Sequence, residues 1–239
     1  MDKWTKRYLV TLDEIHKAMP VSLALAERPE DVVEDVLSYL IDAYLAGSSA
    51  TAEMLDLAPL LVALDEDAGQ VSRQGATKHD TLGEGPSLAE PDEGAEAPQT
   101  DVDTAAMESV IYLPVEGKTF SDRVLEYALL DDVEGIRTVA ETEYHRVYNT
   151  AADQTARSAP GQVSKRWRTV GDNVVREAHR YLEGVEVPLN AEFYTYDGDH
   201  AAFPGGFTQA RNNVNCRCIV TYTRGREATQ NNSQEAGQA

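Results

Sequence analysis

Between Asp65 and Glu108 the chain carries twelve acidic residues against only Arg73 and Lys78, in a background of Gly, Pro, Ala, Ser and Thr. Such a stretch buries too little apolar surface to offset the entropy of ordering it. Any compact structure must therefore be built from the residues on either side, and 65–109 is expected to be a disordered acidic linker. The charge divides in a similar way. Residues 137–226 hold twelve Lys/Arg against ten Asp/Glu, whereas the rest of the 239 residues hold nine against thirty-one, for a net charge of -20. An acidic front and a near-neutral, Arg-rich back read as two functional parts. The front is unsuited to phosphate and favours a basic protein partner over nucleic acid.

Ahead of the linker, residues 1–64 read as an acidic helical region. Tyr8, Leu9, Leu12, Ile15 and Met19 show helical periodicity up to a break expected at Pro20. From Glu30 to Ala46, Val32, Val33, Val36, Leu37, Leu40, Ile41, Tyr44 and Leu45 recur at three- and four-residue steps, which places them on one wide apolar face. Pro29 stands where helices begin and Gly47 where they end. Ser48 or Ser49 would then cap a second helix running to about Leu64. No apolar run approaches the ~18 residues a membrane span requires. Met1-Asp2-Lys3-Trp4 leads into mixed polar sequence rather than a signal peptide.

Behind the linker, 110–226 reads as a folded domain and 227–239 as a disordered Gln/Asn/Ser-rich tail. Val110–Leu113 suggests a short extended piece, and Ser121 with Asp122 suggests a helix start. A further helix is expected from Val133 to just before Pro160, and another from Asp172 to Leu182, stopping at Gly184. In that last helix Asp172, Arg176 and His179 would share one face, with Arg176 paired to Asp172 or Glu143. Short strands are expected at 185–189 and 193–196. The alternation from Val214 to Thr223 predicts a half-buried strand with Cys216, Cys218, Val220 and Tyr222 inward. Trp167 and Phe193 read as core anchors. The fold class is thus α+β, mostly helical in front and helical then small-β behind.

The chemistry of the back half admits several readings. His179, His200, Cys216 and Cys218 offer two nitrogens and two thiolates, a set that zinc accepts. In a regular strand, however, the two cysteine Cα atoms would sit about 7 Å apart, so a bend is needed for both to reach one ion. Buried inert thiols and a strained disulfide are the alternatives. Arg166, Arg168, Arg176 and Arg180 are candidate phosphate contacts, or simply a solvated face. Histidine, cysteine and acids in one block also admit a metal-dependent enzyme, a nuclease or a toxin-like transferase. No nucleophile elbow, phosphate loop or paired-carboxylate signature accompanies them.

An ordered set of short motifs goes further. Glu116-Gly117-Lys118-Thr119-Phe120-Ser121-Asp122-Arg123-Val124 is followed by Thr142-Glu143 with Arg146 and Asn149. Then come Lys165-x-Trp167, Asp172, Val175-Arg176-x-x-His179, Gly184, Phe193, Pro204-Gly205 and Asn215-Cys216-Arg217-Cys218. In this order, over about 115–222, they resemble the phage Mu F-like, or head morphogenesis, family of minor head proteins of tailed phages. The resemblance implies a minor capsid component, located in the virion and in the host cytoplasm during assembly. It implies portal, major capsid or scaffolding proteins as partners, contact with packaged DNA in some members, no membrane and no catalytic set. It also implies that Glu143, Trp167, Asp172, Arg176, His179, Gly184, Asn215, Cys216, Arg217 and Cys218 are architectural. This chain departs from the family at Asn212 and Asn213, and at Gly206, where acids are common.

Overall fold

The computed structural model describes residues 2–57 and 104–225. The far end of the expected second helix, the linker up to residue 103 and the tail lie outside the described residues. Among the described residues, five principal helices come first: α1 (Lys3–Leu25), α2 (Pro29–Met54), α3 (Thr104–Ile111), α4 (Phe120–Ala128) and α5 (Val133–Ser158). A small β-rich lobe follows, with β1 (Val163–Arg168), a helical turn α6 (Glu177–Arg180), β2 (Glu186–Pro188), β3 (Phe193–Tyr194), β4 (His200–Ala201), the turn α7 (Ala210–Asn213) and β5 (Ile219–Arg224). The arrangement is α+β. Among the described residues, no helix is long and apolar enough to cross a membrane.

Helix α2 starts as its sequence dictates. Pro29 occupies the first turn, and Asp31 accepts hydrogen bonds from the N–H groups of Arg28 (2.8 Å) and Glu27 (3.1 Å). It does not stop at Gly47. A glycine inside a helix costs only about 0.5–1 kcal/mol, whereas burying each of Val32, Val36 and Leu40 returns about 1.5–3 kcal/mol. Continuing past Gly47 also buries Ala50, Ala52 and Leu55, so the helix runs on to Met54 and no second helix is capped at Ser48 or Ser49. Gly47 serves packing instead: a Cβ there would stand 2.2 Å from the Tyr148 carbonyl oxygen of α5. Helix α1 likewise continues through Pro20 to Leu25.

Two further local expectations are corrected. Val110 and Ile111 form the buried end of a helix, not an extended piece. The cap of α4 is Thr119, not Ser121: its hydroxyl accepts the Asp122 N–H, and the Asp122 carboxylate accepts the Thr119 N–H at 2.9 Å. This reciprocal pair satisfies two otherwise orphaned donors. The 26-residue helix α5 holds the molecule together. Its Ile136, Val139, Tyr144, Val147 and Tyr148 pack in one core with Tyr8 of α1, with Val32, Val36 and Leu40 of α2, and with Phe120 of α4. The acidic front is thus structurally continuous with the back half.

The three-stranded antiparallel sheet has the order β2-β1-β5. In β1, Val163, Lys165 and Trp167 point inward while Ser164, Arg166 and Arg168 point outward. This alternation, a strand signal passed over in the sequence, sets Trp167 opposite Val220 and Lys165 opposite Tyr222. Strand β5 begins only at Ile219. Ile219 belongs to the helical core, whereas Val220 and Tyr222 belong to a second core with Trp167, Phe193, Phe207 and the two cysteines.

Candidate functional site

The second core is closed by two loops that the strand and helix patterns do not foretell. Asp172 accepts hydrogen bonds from the N–H groups of Val174 (3.0 Å) and Val175 (3.1 Å). By taking up those donors it turns the chain before a helix can form. Only Glu177–Arg180 becomes helical, Val174 is left exposed, and no single face carries Asp172, Arg176 and His179. Each goes its own way. Asp172 pairs with Arg217 at 2.8 Å, Arg176 donates to the Val214 carbonyl, and His179 turns inward. Gly184, with φ +76°, ends the turn and passes the chain back to Trp167 through paired backbone hydrogen bonds of 3.0 Å.

Asn215 supplies the other bend. Its φ of +54° is a left-handed conformation that Asn tolerates better than most side chains. Cys216 and Cys218 follow it in irregular backbone, not in a strand, and both side chains are buried. Arg217 between them reaches outward to Asp172. Their sulfurs lie 3.5 and 3.6 Å from Nδ1 of His179. The His179 ring is held between Trp167, edge-on at 5.6 Å, and Phe207, stacked at 5.3 Å. Asn215, Cys216, Arg217, Cys218, Asp172, Arg176, Trp167 and His179 thus occupy one neighbourhood, and each has a packing or hydrogen-bonding role in it.

Glu143 does not join them. It is buried on α5, where Arg123 (2.8 Å) and Arg146 (2.7 Å) neutralise it, and Arg146 also donates to the carbonyls of Val110 and Ile111. The pairing of Arg176 with Asp172 or Glu143 is therefore replaced by other partners for all three. His200 is also elsewhere, on β4, half-exposed and 3.0 Å from Glu192. Of the candidate metal ligands, the structure gathers His179, Cys216 and Cys218, whose ligand atoms lie within 4.8 Å of one another. The candidate phosphate contacts are engaged within the chain. Arg166 pairs with Glu186, Arg168 with Glu183 and Asp2, and Arg180 donates to the Asn173 carbonyl.

Two residues matter that the sequence did not single out, His145 and Asp199, and a third, Lys165, stands there only as part of a motif. His145 of α5 is fully buried and lies against Cys216; its Nδ1 meets the Tyr8 hydroxyl at 3.0 Å. Its only sequence signal is its place among Tyr144, Val147 and Tyr148 on a core helix. Asp199 gathers five donors from His200, Thr208, Gln209 and Asn212. Lys165 is buried 3.8 Å from Asp153. Of the three positions that depart from the family pattern, two find a role here, since Asn212 donates to Asp199 and Asn213 clamps both backbone groups of Phe207.

The electrostatics of the cysteine pair follow from burial and from each other. Burial resists ionisation of Cys216, but the hydrogen bond with Cys218 and the neighbouring imidazoles of His145 and His179 hold its thiol well below the usual cysteine range. The same hydrogen bond, together with burial, pushes Cys218 well above that range. The pair carries one negative charge more readily than two. This arrangement can bind a soft cation or a proton. An acid/base reading would require a carboxylate facing His179, and among the described residues Asp172 and Glu143 are both turned to arginines.

Comparison with known proteins agrees with the motif reading. The profile of the family described as Phage Mu protein F like protein matches residues 107–221. Minor head protein GP7 of Bacillus phage SPP1 is 32% identical over 88 residues, which cover 36% of this chain and 29% of that protein. The chain therefore matches under a third of that relative's length. No solved structure matches the chain.

Proposed function

Residues 107–221 belong to the phage Mu F-like family of head morphogenesis proteins, and from that premise we propose that the chain acts as a minor head protein built into the procapsid by contact with portal, capsid or scaffolding proteins. The observation that carries this reading is the family match itself, together with the scaffold-like use of the matched residues. Glu143, Asp172, Arg176, Trp167 and the Asn215–Cys218 run are spent on ion pairs, caps and core packing. That use supports a role by contact rather than catalysis.

Protein partners suit the surface better than DNA. Arg166 and Arg168 already pair with acids, so counterion release on a DNA backbone would first have to break those pairs. The β-rich lobe instead exposes an aromatic patch in which Tyr181 and Tyr196 meet edge-on at 5.6 Å, with Tyr194 also exposed. Exposed tyrosines are common anchors of protein interfaces.

The test is quantitative mass spectrometry of gradient-purified heads, assembled in cells from portal, scaffolding and capsid proteins co-expressed with this chain. The expected result is recovery at a constant sub-stoichiometric ratio. Deleting 107–221 should abolish recovery, and the double substitution Tyr181→Ala/Tyr196→Ala should reduce it without lowering the melting temperature. Absence of the intact chain from heads would overturn the proposal.

A further inference from the structure

His179 presents one nitrogen to two sulfurs at nearly equal distance, 3.5 Å to Cys216 and 3.6 Å to Cys218. Hydrogen bonding to His179 accounts for only one of the two contacts: a neutral imidazole nitrogen has one in-plane lone pair and accepts from one thiol, which leaves the second thiol to its sulfur neighbour. A metal ion accounts for both. With Zn–S near 2.3 Å and Zn–N near 2.0–2.1 Å, the nitrogen-to-sulfur edge of a tetrahedral site is about 3.6 Å.

A candidate fourth donor, His145, neighbours Cys216 but lies outside the set whose ligand atoms fall within 4.8 Å of one another, so its ring would have to move inward to reach the ion. Its Nδ1 lies 3.0 Å from the Tyr8 hydroxyl, which can accept an Nδ1–H, and its buried Nε2 has no hydrogen-bond partner. A hydrogen bond on the far nitrogen is what orients a ligating imidazole. A void of about 10 Å³ adjoins the same cluster, lined by His179, Cys216, Cys218, Arg176 and Arg217, and offers an ion a way in.

We propose that Cys216, Cys218, His179 and His145 bind one zinc ion in a closed, structural site. On binding, both sulfurs become thiolates and their protons leave to solvent. Two thiolates balance the ion's two positive charges, so the buried site is neutral. With four protein ligands no position is left for a reacting water, which makes the ion a staple and not a catalyst. It joins α5, the α6 turn and the segment leading into β5, and so ties the helical core to the β-rich lobe. The half-exposed His200 has no part in it.

The test uses the untagged full-length chain, purified from zinc-supplemented cells and analysed by inductively coupled plasma mass spectrometry, with cobalt exchanged into the site. About one zinc per chain is expected. The cobalt form should show thiolate-to-metal charge-transfer absorption and intense tetrahedral visible bands. A strong chelator should lower the melting temperature, and added zinc should restore it. Cys216→Ser and Cys218→Ser should reduce zinc to background, whereas His200→Ala should keep it. Because both cysteines are buried and their variants can fail to fold, the wild-type cobalt spectrum and chelator reversal stand as independent readouts. A chain that purifies without zinc and whose melting ignores both zinc and chelator would overturn the site. An unchanged cobalt spectrum in His145→Gln would overturn the four-ligand assignment.

Discussion

Five donors converge on the carboxylate of Asp199: the N–H groups of His200, Thr208 and Gln209, the Thr208 hydroxyl at 2.7 Å and the Asn212 amide at 2.9 Å. Burial by itself raises the pKa of this group, but the hydrogen bonds from Asn212, Thr208, Gln209 and His200 outweigh it and bring it from 3.8 to about 2. A carboxyl depressed in the folded state contributes stability that is present above its ordinary pKa and is lost as the pH falls through the folded value. The loop that carries Phe207 into the second core should therefore loosen between about pH 4 and pH 2. Asp2, Asp122, Asp172, Asp197 and Glu186 are depressed as well and share in the acid loss. The contribution of Asp199 is isolated by comparing urea midpoints of wild type and Asp199→Asn across this range. The variant should be less stable at pH 6 and should lose less on acidification. Parallel profiles would show that Asp199 is not linked to folding.

At the scale of elements, the contact between α2 and α5 depends on Gly47. An alanine there gains up to about 1 kcal/mol of helix propensity. Its Cβ, however, would fall 2.2 Å from a backbone carbonyl oxygen, which only a shift of one helix can relieve. Overpacking of this kind costs about 1–3 kcal/mol, or more where backbone must move. Gly47→Ala is therefore expected to lower stability by about 1–3 kcal/mol, read as a fall in urea midpoint with little change in slope. A neutral or raised midpoint would mean that the helices separate freely. The helices themselves were largely legible in the sequence, since the apolar stripe of Glu30–Ala46 and the Asp122 first-turn acid are local signals. The misread points, Gly47 as a stop and Ser121 as a cap, are ones where the deciding partner was a distant carbonyl in one case and a threonine two residues earlier in the other.

For the whole molecule, the consequence of one shared helical core is that the family-matched half is not self-sufficient. Tyr8, Val32, Val36, Leu40 and Ala43 cover Tyr144, Val147 and Tyr148 of α5. Exposing several such residues at about 1.5–3 kcal/mol each consumes most of the about 5–15 kcal/mol that stabilises a typical domain. A fragment of residues 104–225 should accordingly bind a hydrophobic dye and melt without a cooperative transition, while the full chain melts cooperatively. A cooperative melt of the fragment at the full chain's temperature would refute the dependence. The charge division that marks the acidic front as separate does not run along a packing boundary, because net charge bears on solubility and partners rather than on which apolar faces meet.

Local chemistry along the chain was enough to determine the amphipathic helices, the turn at Gly184, the small β-rich end and, through its ordered motifs, the likeness of the C-terminal half to the Mu F-like family. These depend on periodicity, on left-handed glycine and on residue spacing, all of which act within a few positions. Tertiary structure alone decided that Cys216 and Cys218 turn the same way past Asn215, that His145 rather than His200 stands beside them, and that Asp172 and Glu143 answer to different arginines. Apart from the pairs of Glu143 with Arg146, three positions away, and Arg123, twenty away, these outcomes bring together groups 37 or more positions apart, and no local propensity encodes which of several available histidines or arginines packing will bring into reach.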